Sequence, residues 1–483
     1  MSTVSERVFI TKYSKAIKEG YAAVFVGAGL SHGSGYVDWK NLVEPFALEL
    51  GLNIEEEHDY ARIAQYYRNE KRTRGSINQE IMDQFSPERE PNESVKILTR
   101  LPIYTYWTTN YDKLLEEGLK ENNRRVDVKK TTPQLVRHIR DRDAILYKMH
   151  GDYENPESAV LTKEDYEVYN HRRPLFSTVL QGDLVSKTFL FLGFSFEDPN
   201  LDNILSQTRN ILDENIGDNY WLERKIQQPI YDGKNESEIN RLREKYTRDI
   251  TKQDLKINEL QRYGIQTVLI DSYEDITRIL RDLESIYLKN NVFISGSIEI
   301  YDEIWSEEKV EEFCFLLANN LTKENYKIYS GFGLGVGSSV INGALKEIQS
   351  SKYKHIDEHI LLRPFPLRKK SNPSDDKSAQ WKKYREDIIQ DVGVSIFIFG
   401  NKTINTGEIK LADGVYEEFE IARKFGNIII PVGSTGYMSK IIFDEVKEHL
   451  DQHPYLTPFM DTLGTCIDIE ELVNIIVKIV KST

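Results

Sequence analysis

Three short segments in the N-terminal half of the chain carry residue types that could bind and cleave a nucleotide. A small apolar run, Ala22 to Val26, ends in a glycine turn that is followed by Ser31. Asn110 follows a second apolar run in "WTTNYD", and His150 follows a third in "KMHGD". Glycines let backbone N–H groups approach a phosphate, an amide can orient water, and a neutral imidazole can accept a proton. Each residue alone is also common in turns and helix caps, so it is their occurrence together that predicts a site.

Five runs in this half are short, apolar on both faces and rich in β-branched or aromatic residues. They are Ala22–Val26, Ile103–Thr108, Ala144–Met149, Thr188–Phe194 and Gln266–Ile270. Helix-like segments such as 113–121 and 236–263 separate them, which is typical of a parallel sheet covered by helices. A doubly wound sheet binds ligands beyond the carboxyl ends of its strands, so the turns after these strands are expected to share one cleft.

The motifs "GAGLS", "TTNYD" and "MHGD", in this order and at these separations, resemble the sirtuin family of NAD-consuming enzymes. The resemblance implies that the glycine turn and its serine bind NAD+, that Asn110 lies beside the nicotinamide ribose, and that His150 is the general base. Thr109 stands where these enzymes commonly have glutamine, and a later glycine–serine turn would line the adenosine side. The NAD-binding residues implied in this way are Gly27, Ala28, Gly29, Ser31, Thr109, Asn110, Gly193 and Ser195.

Two departures from the sirtuin pattern bear on the reaction. Protein-deacylating sirtuins carry a zinc module with two Cys-x-x-Cys pairs, whereas this chain has two distant cysteines, Cys314 and Cys466. Their Gly-Ile-Pro-x-Phe-Arg type loop is replaced here by "SGYVDWKNL" at 34–42. The sequence therefore predicts no metal, water as the acceptor, and hydrolysis of NAD+ to ADP-ribose and nicotinamide. The alternatives are an NAD-dependent protein deacylase and a non-catalytic NAD or ADP-ribose sensor.

The C-terminal half alternates strands and helices independently of the first half. The predicted strands are Val292–Ser295, Lys327–Ser330, His359–Arg363, Ser395–Phe399 and Asn427–Val432, and the predicted helices are Glu307–Thr322, Gly337–Gln349, Trp381–Gln390, Gly414–Lys424 and Ile469–Lys481. The expected fold class is α/β, with two doubly wound, Rossmann-like domains. The alternation starts again near residue 290, which predicts one domain at 1–285 and a second at 290–483.

Glycine turns also follow two of the strands in the second half. "FISGSI" ends a strand at Gly296 and Ser297, and "YSGFGLGVGSS" places Gly331 and Gly333 between a strand and a helix. This second turn lacks the lysine of a P-loop. Together with "FIFGN" and "DGVYEEFEIARKFG", these motifs resemble the SLOG superfamily of nucleotide-binding domains.

A sirtuin-like domain followed by a SLOG-like domain resembles the ThsA-like effectors of bacterial Thoeris antiphage defence over essentially the whole chain. The resemblance implies that a cyclic ADP-ribose isomer binds the second domain and switches on NAD+ hydrolysis in the first. It also implies self-association, as a homotetramer or a higher assembly. The activator-binding residues implied are Gly296, Ser297, Gly331, Gly333, Arg385, Lys402 and Glu417. Arginine and lysine would offer charge to a pyrophosphate, and glutamate would accept ribose hydroxyls.

The composition excludes several classes of partner. With 63 Lys and Arg against 77 Asp and Glu, the net charge is −14, which argues against a nucleic-acid binder. No apolar run has the length of a membrane span, and the first residues lack the apolar core of a signal peptide. We therefore expect a cytoplasmic protein without nucleic-acid or membrane partners. The proline- and charge-rich segment 363–380 is either a lid over the second pocket or a disordered loop.

Overall fold

The computed structural model describes residues 3–212, 217–233, 235–364, 377–403 and 408–483. The chain divides into two compact units, Met1–Glu284 and Ser285–Thr483. Each unit has a parallel sheet and a hydrophobic core of its own. Of the segment predicted to be a lid or a loop, residues 365–376 lie outside the described residues.

The first unit is built on seven parallel strands. They are β1 (Ala22–Val26), β2 (Thr105–Thr108), β3 (Val126–Lys129), β4 (Ala144–Lys148), β5 (Thr188–Leu192), β6 (Asn219–Arg224) and β7 (Ile265–Ile270). Their order is β3-β4-β2-β1-β5-β6-β7, and every residue of β1 is buried. The chain runs from β1 toward one edge of the sheet and later returns to β5 on the other side of β1. The switch point of the sheet therefore lies between β1 and β5, where such folds open a crevice for ligands.

Fourteen helices are described before, between and after these strands. They are α1 (Glu6–Lys18), α2 (Ala28–His32), α3 (Trp39–Glu49), α4 (Tyr60–Lys71), α5 (Gly75–Phe85), α6 (Glu93–Arg100), α7 (Leu114–Glu121), α8 (Thr132–Leu135), α9 (Lys163–Glu167), α10 (Tyr169–Arg172), α11 (Pro174–Ser186), α12 (Pro199–Leu212), α13 (Glu236–Gln261) and α14 (Glu274–Leu288). Side-chain caps fix several of these helix starts; for example, Asp38 accepts a hydrogen bond from the Asn41 amide at 2.8 Å.

The second unit has a five-stranded parallel sheet in the order β10-β9-β8-β11-β14 and an antiparallel hairpin, β12-β13. Its strands are β8 (Asn291–Ser297), β9 (Lys327–Ser330), β10 (Ile360–Leu362), β11 (Val394–Phe399), β12 (Asn401–Thr403), β13 (Ile409–Leu411) and β14 (Ile428–Pro431). Its helices are α15 (Glu307–Lys323), α16 (Gly337–Ser350), α17 (Ile356–His359), α18 (Lys377–Ile389), α19 (Asp413–Lys424), α20 (Tyr437–Glu448), α21 (Met460–Thr465) and α22 (Ile469–Ser482).

The predicted α/β class with two Rossmann-like domains is confirmed, and the ten predicted strands are present with ends displaced by at most two residues. The strands β3 and β6 and the hairpin β12-β13 were not predicted. Strand β3 reads "VDVK", and a search for apolar runs misses it because two of its four residues are charged. In the structure, Asp127 and Lys129 are buried and form an ion pair at 2.8 Å. Strand β6 reads "NYWLER" and has no β-branched residue, although Tyr220 and Trp221 are buried.

In the described part of the chain, no helix combines the length and the apolar character that crossing a bilayer requires.

Candidate active site

The sheet register brings the three sequence motifs to one edge of the first unit. Val26, the last residue of β1, pairs with Thr108 of β2 and with Leu192 of β5. Thr108 in turn pairs with Lys148 of β4. Because the strands are parallel and end level with one another, the turns that follow all four of them open at the same edge.

A cavity of about 510 Å³ lies at this edge. Of the residues predicted from the sequence, its walls include Ala28, Gly29, Thr109, Asn110, His150, Gly193 and Ser195. Gly27 and Ser31 are not among the described residues that line it. Ser31 is buried behind the wall and contacts Asn110. The volume lies within the usual range for small-molecule sites.

The glycine turn packs directly against the turn that follows β5. The Gly27 amide donates to the Leu192 carbonyl and the Gly29 amide donates to the Gly193 carbonyl, both at 2.9 Å. A Cβ atom on Gly27 would overlap the Gly193 carbonyl oxygen, and Gly193 itself has φ +61°, which favours glycine. Packing of the two turns thus requires these glycines, and the same close approach brings backbone to the cavity wall.

A chain of buried hydrogen bonds fixes the side chain of Asn110. Its amide nitrogen donates to Ser31 Oγ at 2.9 Å, and Ser31 Oγ donates to Asp112 Oδ2 at 2.7 Å. The other carboxylate oxygen of Asp112 accepts the Leu114 amide at 3.0 Å. Asp112 therefore has two roles: it accepts a backbone amide at the start of α7, and it anchors Ser31. Its second role follows from the approach of two loops that lie 81 residues apart.

His150 also lies in the cavity wall, and it is buried. Its Nε2 is 3.3 Å from Oδ2 of Asp198 and has no hydrogen-bond partner among the described residues. The edges of Tyr166 and Tyr169 enclose the ring, with centroids at 5.6 and 6.1 Å. Burial lowers the pKa of the imidazole from its usual value, the Asp198 carboxylate raises it, and the Arg173 guanidinium lowers it again. A neutral imidazole at neutral pH can accept a proton.

Buried charges behind the wall hold the loops of Asn110 and His150 together. The ammonium of Lys148, at the end of β4, donates to the Asp112 carbonyl, and it lies 3.1 Å from the Glu116 carboxylate and 3.6 Å from Asp152. Lys130 forms a second ion pair with Asp152. Burial raises the pKa of Glu116, and Lys148 opposes that shift. The network ties the turn after β2 to the turn after β4.

Several residues of the cavity wall were not predicted from the sequence. Asp198 lies in "GFSFEDPN", the segment that follows β5 and carries two acidic residues, Glu197 and Asp198. Its Oδ1 accepts the amides of Asn200 and Leu201 at 3.0 Å each, while Oδ2 accepts the Tyr166 hydroxyl at 3.2 Å. The further wall residues include Asp38, Trp39, Tyr60, Trp221, Glu223, Lys256 and Tyr273. They come from segments that share no motif, so only folding brings them together.

The predicted activator residues gather around the carboxyl ends of β8, β9 and β11 in the second unit. Arg385, on α18, donates to Glu417 at 2.6 Å and lies 3.4 Å from Glu418, both on α19. The Glu418 carboxylate also accepts the Ser295 hydroxyl at 2.6 Å. Burial raises the pKa of Glu418, and the Arg385 charge opposes the shift. Arg385 and Glu417 therefore belong to a network that reaches the end of β8.

The remaining predicted activator residues lie on the turns at the same edge. Lys402, on β12, forms a 3.0 Å ion pair with Asp413, the first residue of α19. Gly331 and Gly333 follow β9, and a Cβ atom on Gly333 would overlap the carbonyl oxygen of Gly296. Ser297 donates to the Asn401 carbonyl at 3.2 Å.

Among the described residues, no group of three or more His, Cys, Asp or Glu side chains has an arrangement that could hold a metal ion.

Family profiles match both halves of the chain. The SIR2-like domain matches residues 104–250, which include Asn110, His150 and Gly193 but begin after the glycine turn. The Sir2- and TIR-associating SLOG family (STALD) matches residues 275–483.

Whole-chain similarity is found with proteins named NAD(+) hydrolase ThsA. The protein of Bacillus cereus (strain MSX-D12) is 43% identical over 481 residues, covering 98% of each chain. That of Enterococcus faecium is 43% identical over 452 residues, covering 93% of this chain and 92% of the relative. Defense-associated sirtuin 2 of Bacillus subtilis is 27% identical over 211 residues, 42% of this chain and 20% of the relative. With a SIR2-like and a SLOG domain and this similarity along its whole length, the chain belongs to the ThsA family of NAD+ hydrolases.

Proposed function

We propose that the domain at 1–285 hydrolyses NAD+ to ADP-ribose and nicotinamide, and that the domain at 290–483 switches this activity on when it binds a cyclic ADP-ribose isomer. The observation that carries the catalytic half is the convergence of Asn110 and His150 on one cavity lined by a glycine turn. The whole-chain similarity to ThsA proteins supports the same reaction. In the cell, activation would deplete NAD+ during phage infection, and we expect this to occur in the cytoplasm.

The mechanism requires cleavage of the bond between nicotinamide and ribose, which passes through a cationic, oxocarbenium-like ribose. Ala28, Gly29, Gly193 and Ser195 would hold the dinucleotide along the switch point of the sheet. Asn110, anchored through Ser31, would orient the ribose or the attacking water. Neutral His150 would accept a proton from a ribose hydroxyl or from that water. Water adds to the anomeric carbon as nicotinamide leaves, and one proton is released.

Water is the acceptor that fits this chain best. The chain has no Cys-x-x-Cys pair that could build the zinc module of protein deacylases. The segment at 34–42, which differs from the sirtuin loop, contributes Val37, Asp38, Trp39 and Lys40 to the cavity wall. A cavity of about 510 Å³ suits a nucleotide.

For the activator, we infer a site built from Gly296, Ser297, Gly331, Gly333, Arg385, Lys402 and Glu417. Supporting it are the hydrogen bond between Arg385 and Glu417 and the ion pair of Lys402 with the start of the same helix. A pyrophosphate would compete with Glu417 and Asp413 for these two cations. Activator binding would thereby repack α18 and α19, and we propose that a homotetramer or higher assembly transmits the change to the catalytic domain.

The test is release of nicotinamide from NAD+ by the purified full-length protein, with and without a cyclic ADP-ribose isomer. Release that depends on the isomer is expected. Absence of release under both conditions, with a folded protein, would rule out the hydrolase, and equal release would rule out the switch. Release that requires an acylated peptide would favour the deacylase, and binding of NAD+ without turnover would favour the sensor.

Two variants test the assignment of the catalytic residues. His150→Gln and Asn110→Ala are each expected to lower nicotinamide release by at least about 100-fold. The matched control is His32→Gln, because His32 is an exposed histidine at the end of α2, the helix that begins in the glycine turn. If either catalytic variant retains wild-type turnover while folded, these roles are wrong.

A further inference from the structure

The cavity extends past the glycine turn to the carboxyl end of β6. In the sheet order, β4 and β6 are separated by four strand spacings, about 19 Å. An extended dinucleotide whose reacting bond lies at His150 would therefore present its other end to β6. The residues of the wall at this end include Ser195, Glu197, Trp221, Leu222, Glu223, Lys256 and Tyr273.

The side chains at this end suit an adenosine. Trp221 is buried and rigid, since its Nε1 donates to the Phe194 carbonyl at 3.0 Å. The ammonium of Lys256 donates to the Ser195 carbonyl and lies 5.4 Å from the Trp221 ring. Trp221 and Leu222 form an aromatic and apolar surface for a purine. The loop of Ser195, which is held by the Lys256 ammonium, lies next to this surface.

Glu223 provides one carboxylate at this end of the cavity, and Glu197 provides another. Glu223 is half-buried on β6, opposite Leu269 of β7. Burial raises the pKa of its carboxyl to about 7, while Lys256, a hydrogen bond from Gln253 and Arg224 lower it and Glu197 raises it. An ionised carboxylate at this position is stabilised by hydrogen bonds from O–H groups, and the adjacent hydroxyls of a ribose are two such donors.

We propose that Glu223 accepts hydrogen bonds from the 2′- and 3′-hydroxyls of the adenosine ribose and thereby selects NAD+ over NADP+. NADP+ carries a phosphate on the 2′-oxygen, which removes one donor and sets a second negative charge against the carboxylate. The inference rests on the proposed function, since it takes the orientation of the dinucleotide from Asn110 and His150. It adds a residue that determines specificity at a wall where the sequence motifs predicted only Ser195.

The pH dependence of this selection has a definite sign. Near pH 6 the Glu223 carboxyl is mostly protonated and repels a phosphate weakly, whereas at pH 8 it is mostly ionised. A 2′-phosphate also gains charge over this range. The preference for the unphosphorylated ligand should therefore rise with pH, and more steeply in the wild type than in a variant without the carboxylate.

The test compares binding of ADP-ribose and 2′-phospho-ADP-ribose to the full-length protein by calorimetry at pH 6 and pH 8. At pH 8 the wild type should prefer ADP-ribose by about 100-fold, and Glu223→Gln should reduce that ratio about tenfold or more. Glu223→Asp keeps the charge, so it should keep most of the preference while binding ADP-ribose more weakly. The matched control is Glu197→Gln, an exposed carboxylate at the same end of the cavity, which should change the ratio much less than Glu223→Gln does.

An unchanged ratio in folded Glu223→Gln protein, a ratio that changes in Glu197→Gln instead, or absence of ADP-ribose binding would overturn the inference. Because binding needs no turnover, the two proposals fail separately. Discrimination that depends on Glu223 without nicotinamide release would contradict only the hydrolase. Nicotinamide release with no effect of Glu223 on the ratio would contradict only the inference.

Discussion

His150 Nε2 lies 3.3 Å from Asp198 Oδ2, and both side chains are buried at the end of the sheet. The two residues come from turns after different strands, β4 and β5. Asp198 is held by two backbone amides and by the Tyr166 hydroxyl, so its carboxylate is a fixed negative charge beside the imidazole. Burial keeps the imidazole neutral, and the carboxylate stabilises the imidazolium that forms when the ring accepts a proton.

The pH profile of NAD+ hydrolysis tests this pair. Since the pKa of His150 lies below its usual 6.5, kcat/KM should fall on the acid side only below that pH. Asp198→Asn removes the charge that raises this pKa, so the acid limb should move to lower pH. Asp202→Asn is the control, because Asp202 is an exposed carboxylate in the first turn of α12, which begins directly after Asp198. If the acid limb of kcat/KM is unchanged in the Asp198→Asn variant, the carboxylate does not raise the pKa of His150.

Ser31 is predicted to act through Asn110, in contrast to the direct contact with NAD+ that the sirtuin resemblance implies. Ser31→Ala removes the acceptor of the Asn110 amide, so kcat should fall about 10- to 100-fold while KM for NAD+ changes little. Ser34→Ala is the control in the same turn, where Oγ accepts two hydrogen bonds from Asn92. That change should cost about 1 kcal/mol of stability and leave kcat unchanged. A rise in KM with constant kcat would instead indicate that Ser31 contacts NAD+.

The close packing of the two turns gives a prediction for stability. Gly193→Ala would place a Cβ atom against the Leu30 amide at a positive φ, so it should destabilise the first unit by about 1–3 kcal/mol and weaken NAD+ binding. Gly182→Ala is the matched control, because Gly182 lies within α11 with open space around its Cα. It should be neutral or stabilising by up to about 1 kcal/mol. Urea unfolding of both variants measures the difference, and equal stabilities would contradict the packing argument.

Two lysines that pair with the same carboxylate, that of Asp413, allow a specific role in activator binding to be distinguished from a general electrostatic effect. Lys402 and Lys410 lie 3.0 and 3.1 Å from the same carboxylate oxygen of Asp413. Lys402→Met should raise the isomer concentration needed for half-maximal NAD+ hydrolysis by at least about tenfold, and Lys410→Met should change it little. Both ion pairs are exposed, so neither substitution should cost more than about 1 kcal/mol of stability. Equal effects of the two substitutions would exclude a specific role for Lys402.

Strands that consist of a continuous apolar run were recognised from the sequence. Strand β3 was missed, because its charged residues are neutralised only in the folded chain. Strands β1 and β5 lie at the centre of the sheet and need apolar residues on both faces, so their sequences show it. Strand β3 lies at the sheet edge, where the charges of Asp127 and Lys129 neutralise one another within the fold. No local sequence pattern predicts this neutralisation, because Asp127 also pairs with Arg142, which is 15 residues away in the sequence.

The α/β class, the two Rossmann-like domains and the turns that carry Asn110 and His150 follow from the sequence, because these depend on local runs and motifs. Tertiary structure alone decided that Ser31 lies behind Asn110, that Asp198 faces His150, and that Glu223 belongs to the same cavity. The physical reason is the strand order. Parallel strands far apart along the chain become neighbours in the sheet, and which of their end residues meet is set by register and packing rather than by any local pattern.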